Sequence, residues 1–141
     1  MREIYTPPGG PSQGAAPSRD IHGVMGTEKI YEMMSDFYRE LEESSIRPLF
    51  ADDMQAASRR SAAFFVQLLG GPPLYNELYG QPAMRARHLP FEIDEAARQV
   101  WIECFFRVLE NSKKYNFPTE HLEGFKTFLD EFSKWMVNRA E

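Results

Sequence analysis

Three histidines and one cysteine are the chain's Cys and His candidates for a zinc site: His22, His88, His121 and Cys104. A structural zinc site takes four such ligands at short, characteristic spacings, and these four are scattered along the chain. No glycine-rich turn opens a helix to cradle phosphate; Gly70-Gly71-Pro72 stops one instead. Serine-nucleophile motifs are absent. One kind of centre asks for less: a porphyrin iron takes a single protein ligand, commonly histidine, inside an apolar slot. His88 is the candidate. It sits in MRARHLPFEI, directly before a helix-starting loop, with Pro90 and Phe91 fixing the chain beyond it. By itself such a histidine reads more simply as a capping or satisfied loop residue. His22 beside the N-terminal tail and His121 in a helical first turn read as solvated.

The slot is the second requirement, and composition speaks to it. Eleven Phe, six Tyr and two Trp make 13% of the chain aromatic. Rings bury the most area per side chain, so the interior must be ring-rich; either an ordinary helical core or a core around a large flat ligand satisfies that. With 141 residues, one domain is expected. The net charge of −5 and pI near 5.3 lack the basic footprint of a nucleic-acid binder. No apolar run is long enough for a membrane span, no signal-peptide core is present, and the lone cysteine fits a reducing compartment. A soluble cytoplasmic protein without nucleic-acid or membrane partners is expected.

The elements that must position His88 follow from periodicity. Residues 1–20, dense in Pro, Gly, Ser and Ala, predict a flexible extension, with Ile4 and Tyr5 able to dock weakly on the body. Residues 21–141 form the domain. Thr27 caps the first long helix, whose Ile30, Met33, Met34, Phe37, Tyr38 and Leu41 share one face. Pro48 makes a corner. Asp52 or Asp53 caps the second helix, with Met54, Ala57, Ser61, Phe64, Phe65 and Leu68 on its inner face. The Gly-Gly-Pro-Pro run at 70–73 ends it. The glycines and prolines of residues 70–92 predict a loop holding a turn or two of helix that ends near His88. A third helix runs from about Asp94 to about Lys113, with Ala97, Trp101, Cys104, Phe105 and Val108 inside. A fourth begins at Pro118 and faces inward with Leu122, Phe125, Leu129, Phe132 and Met136. No alternating strand pattern occurs, so the fold class is all-α.

The segment GGPPLYNELYGQPAMRARHLPFEI, residues 70–93, together with Trp101 in RQVW, resembles the group II truncated haemoglobins. IHGVMG at 21–26 and DFYREL at 36–41 resemble that family's opening motif and distal-tyrosine segment, and the likeness spans roughly residues 21–139. Three positions depart from the pattern. Gln81 replaces a loop histidine, Phe50 replaces a tyrosine seen in some members, and Ser61 puts a small hydroxyl where larger side chains are common.

The resemblance implies a globin-like 2-over-2 helical sandwich around haem b, with the proximal helix reduced to a short piece. It places His88 as the iron ligand, the other ring N–H donating to a backbone carbonyl or water. Tyr38, Trp101 and Ser61 fall at distal positions near a bound diatomic ligand (O2, NO or CO). Phe50 is the corner aromatic, and Ala57, at a distal-helix pocket position, supplies neither a donor nor a sixth ligand. Phe64, Leu68, Met84, Leu89, Phe91 and Ile93 are expected to wall the slot, and Arg60, Tyr75 and Arg87 to meet the haem propionates. Two functions follow from such a site. One is reversible binding of oxygen or another diatomic. The other is a haem redox enzyme, a nitric oxide dioxygenase or peroxidase, which would need an external reductase because this chain carries no flavin or nicotinamide domain. A monomer or homodimer is expected.

Overall fold

The computed structural model describes residues 5–7, 16–50, 52–89 and 91–140. Residues 1–4 and 8–15 of the expected extension, Pro90 beyond His88 and the final residue of the domain lie outside them. Among the described residues seven α-helices follow in order: α1 (Ile21–Met25), α2 (Thr27–Glu42), α3 (Met54–Leu68), α4 (Leu74–Tyr79), α5 (Met84–His88), α6 (Glu95–Leu109) and α7 (Leu122–Met136). Short 3-10 turns at Arg47–Leu49, Ser112–Tyr115 and Thr119–His121 join them, and no strand occurs among the described residues. The long helices form the 2-over-2 sandwich: α3 packs on α2, α7 on α6, and α2 on α6.

Local chemistry sets the helix boundaries. Asp53 and Asp94 cap α3 and α6 by accepting from the amides of Ala56 and Ala97. Thr27, expected as a cap, is instead the first residue of α2. Gly26 holds the cap position at φ +82°, and the Thr27 hydroxyl pairs with His22 Nε2 at 2.9 Å. Pro118 opens a 3-10 turn, so the last α-helix starts four residues later than Pro118 alone suggests. The third helix stops at Leu109, and its expected end near Lys113 is taken by the Ser112–Tyr115 turn.

The core is a ring cluster. Phe105 lies 4.3 Å from Phe37 and 5.7 Å from both Phe65 and Phe125, and all four are buried. Each such side chain contributes roughly 1.5–3 kcal/mol through burial. On α2, Phe37 points into this cluster while Tyr38, one residue around the helix, reaches a separate cavity. On α3, the face read as a single apolar stripe divides likewise. Met54 and Phe65 are buried in the core, whereas Ala57, Ser61 and Phe64 border the cavity. Phe65 reaches both.

The N-terminal segment is fastened where it is described. The Tyr5 amide donates to the Asn138 carbonyl at 2.9 Å, and Pro17 is buried. No helix among the described residues is long and apolar enough to cross a membrane.

Candidate functional site

A cavity of about 370 Å³ opens between α2, α3, α5, α6 and α7, a size within the range of small-molecule sites. Its lining is mostly apolar, with a few polar groups converging on it. Of the residues singled out in the sequence, Tyr38, Phe50, Ala57, Arg60, Ser61, Phe64, Tyr75, Met84, Arg87, His88, Phe91, Ile93 and Trp101 line it. Leu68 and Leu89 do not. Leu68 packs against the core cluster from the end of α3, and Leu89 lies one residue past α5, where its amide closes that helix's last turn.

His88 is the last residue of α5, a helix of five residues between the proline-rich loop and the lead-in to α6. Its Nδ1 lies 2.6 Å from the Met84 carbonyl, four residues earlier. A carbonyl only accepts, so Nδ1 carries the proton and Nε2 keeps its lone pair. Burial holds the ring below its ordinary pKa of 6.5, more strongly than the Met84 carbonyl pulls it up. The imidazole is therefore neutral, with one nitrogen left for a ligand. No group of three or more His, Cys, Asp or Glu among the described residues could hold a metal ion by side chains alone. The donor set is thus one neutral imidazole beside a ring-lined slot. It fits a flat apolar cofactor held through a single axial bond, and haem is such a group.

Across the cavity, α2 and α6 supply the donors. Burial raises the phenol pKa of Tyr38, with Ser61 and Arg60 pulling it back in part, so the hydroxyl stays protonated. Trp101 stands edge-on to Phe37 at 5.4 Å and to Phe105 at 5.5 Å, which fixes the indole plane. Its N–H can only donate. Arg60, on α3, is exposed at the rim. Arg87 is more committed: its Nε donates to the Pro82 carbonyl at 2.8 Å, and its Nη2 to those of Gln81 and Tyr79. It also lies over the Tyr75 ring. Its first task is to brace the loop ahead of α5.

Several lining residues carried no site assignment from the sequence: Ile46, Leu49, Ala97, Arg98, Phe132, Ser133 and Met136. Ala97, Phe132 and Met136 sat on faces read as inward, so periodicity had marked them as interior. Arg98 gave no such signal. It is 7% exposed, and its guanidinium binds Glu95, Asp130 and the Ser133 hydroxyl, joining α6 to α7 along the cavity wall.

Comparison with known proteins agrees with this architecture. The family model described as bacterial-like globin matches residues 22–138. A group 2 truncated haemoglobin of Bacillus subtilis is 33% identical over 119 residues, spanning 84% of this chain and 88% of that protein. The crystal structure of phosphate-bound Hell's gate globin IV superposes with a TM-score of 0.83 at 34% identity, covering 92% of this chain and 81% of that one. That of the group II truncated haemoglobin from Bacillus anthracis gives 0.78 at 28% identity, covering 91% and 96%.

Proposed function

Because this chain belongs to the bacterial-like globin family, as one of its group II truncated haemoglobins, we propose that it reversibly binds oxygen or another diatomic ligand at the iron of haem b held by His88. The observation that carries this reading is the pairing of His88 Nδ1 with the Met84 carbonyl beside the apolar cavity. That bond fixes the tautomer, orients the ring and raises the basicity of Nε2, as second partners of metal-binding histidines do. When bound, haem supplies the metal centre that accepts the diatomic.

The remaining work falls to side chains. Tyr38 and Trp101 present an O–H and an N–H to a ligand that gains negative charge on binding, in a site lined largely by apolar side chains. Each such bond contributes about 0.5–1.5 kcal/mol, or roughly 2- to 13-fold in dissociation rate if it acts there. Ser61 supports the Tyr38 hydroxyl. Ala57 offers no competing sixth ligand, so the distal face stays open to small molecules. Arg60 at the rim is the foremost partner for a propionate, and the planar guanidinium suits a carboxylate. Arg87 can offer its Nη1 while its other nitrogens hold the loop.

The experiment is the absorption spectrum of the haem-loaded protein in ferric, ferrous and carbon monoxide forms, beside that of His88→Ala. The wild type should give a histidine-ligated globin spectrum with one haem per chain, and the variant should lose it. A normal spectrum and stoichiometry in His88→Ala would overturn the assignment.

A further inference from the structure

A five-residue helix that follows a glycine- and proline-rich stretch has little stability of its own, so the position of His88 must be set by contacts from elsewhere in the fold. Those contacts converge on one buried side chain. Asn138, just beyond α7, has 0% exposure. Its Nδ2 donates to the carbonyl of His88 at 3.2 Å and to that of Phe91 at 2.9 Å, while its Oδ1 accepts from the Ile93 amide at 3.0 Å. Its own amide donates to the Ile93 carbonyl at 2.9 Å. One residue thus holds the peptide of the histidine and the exit of the chain toward α6.

Arg85, one turn before His88, is tied to the same place. Its Nη1 donates to the carbonyls of Trp135 and Val137, and its guanidinium lies 4.3 Å from the centroid of the Trp135 ring. Its Nη2 donates to the Tyr5 carbonyl at 3.0 Å, and the Tyr5 amide donates to the Asn138 carbonyl at 2.9 Å. The N-terminal segment therefore closes a ring of hydrogen bonds that runs from Tyr5 to Asn138, through α5, and back through Arg85.

We infer that Asn138 is a positioning residue for His88, and that the backbone of Tyr5 braces the clamp from outside, so that the N-terminal segment is coupled to the axial histidine. This rests on the reading of His88 as the haem ligand. The consequence is that a change at either end of the chain, far in sequence from the histidine, should alter the strength and angle of its bond to the metal.

The test uses full-length, haem-loaded protein with two readouts: the iron–histidine stretching band of the ferrous form, and hydrogen exchange at the Phe91 and Ile93 amides. Asn138→Ala should shift the band and speed exchange at those amides at least about fivefold, the factor that one lost hydrogen bond represents. Should that variant fail to fold, Asn138→Asp replaces it. It keeps the acceptor for Ile93 and loses both donors to the His88 and Phe91 carbonyls. Tyr5→Pro, which deletes the backbone donor to Asn138 together with the phenol ring, should move both readouts in the same direction, whereas Tyr5→Ala, which loses the ring and keeps the amide, should leave both readouts unchanged. An unchanged band and unchanged exchange in the Asn138 variant would overturn the positioning role. Wild-type behaviour of Tyr5→Pro would overturn the N-terminal brace. A wild type with no iron–histidine band would instead refute ligation by His88, and the exchange rates would still decide whether the clamp exists.

Discussion

Tyr38 and Phe50 meet edge to face, with 5.9 Å between ring centroids and 75° between their planes. Phe37 meets Tyr38 in the same manner at 5.5 Å. The phenol is thus gripped by two rings, and its hydroxyl reaches the cavity from a fixed direction. A donor held in place needs no reorganisation when charge develops on its partner.

The first prediction follows from that fixed hydroxyl and from the Trp101 N–H. Tyr38→Phe and Trp101→Phe should each speed oxygen release by roughly 2- to 13-fold, the range of one ordinary hydrogen bond. Stopped-flow displacement of oxygen by carbon monoxide measures it. An unchanged rate in Trp101→Phe would mean that the indole serves the Phe37–Phe105 cluster alone.

The rim cations differ in what they already hold. Arg60→Ala should quicken the loss of hemin to an acceptor globin by no more than about fivefold, as expected of an exposed ion pair worth up to roughly 1 kcal/mol. Arg87→Ala should do more, because it also releases the carbonyls of Tyr79, Gln81 and Pro82 ahead of α5. Faster hemin loss in Arg60→Ala than in Arg87→Ala would reverse this ranking.

The Arg98 network should be visible in stability and its pH dependence. Hydrogen bonding from Arg98 holds Glu95 below its ordinary 4.5. Burial pushes Asp130 up, but hydrogen bonds from Arg98 and Lys134 outweigh it and bring that carboxyl below 3.8. Between the depressed and ordinary values the unfolded chain binds more protons than the native one, so stability rises with pH there. This contribution is complete above the ordinary values and is lost as pH falls through the depressed ones. Arg98→Met should cost about 1.5–3 kcal/mol at neutral pH, the range for hydrogen bonds to charged groups, and flatten that acid slope. Urea titrations on either side of pH 4 check both effects.

Gly70 tests the junction between the end of α3 and the N-terminal segment. Its φ is +104°, and a Cβ there would stand 1.8 Å from the Arg19 carbonyl oxygen. Gly70→Ala should lose at least about 1–3 kcal/mol from backbone strain alone. Thermal melting that matches the wild type would show that neither the backbone at residue 70 nor the Arg19 carbonyl resists a Cβ there.

Much of the fold was legible because helical periodicity is local. The faces of α2 and α7, the aspartate caps of α3 and α6, and the glycine–proline stop at 70–73 each depend on residues within a few turns of one another. His88 could be singled out because only three histidines exist and only one stood before a helix in a loop. Periodicity marks a residue as interior without naming its neighbour. It therefore could not divide the α3 stripe between core and cavity, or send Leu68 to one and Phe64 to the other.

What the sequence determined by itself was an all-helical, ring-rich chain with one histidine set in a glycine- and proline-rich stretch ahead of a helix. Tertiary structure alone decided which groups hold that histidine. Asn138 meets its carbonyl across fifty residues, and Arg85, one turn before it, meets the Tyr5 carbonyl across eighty. Such bonds arise where the folded path brings backbone carbonyls beside a side chain, and a carbonyl, common to every residue, leaves no mark in the sequence.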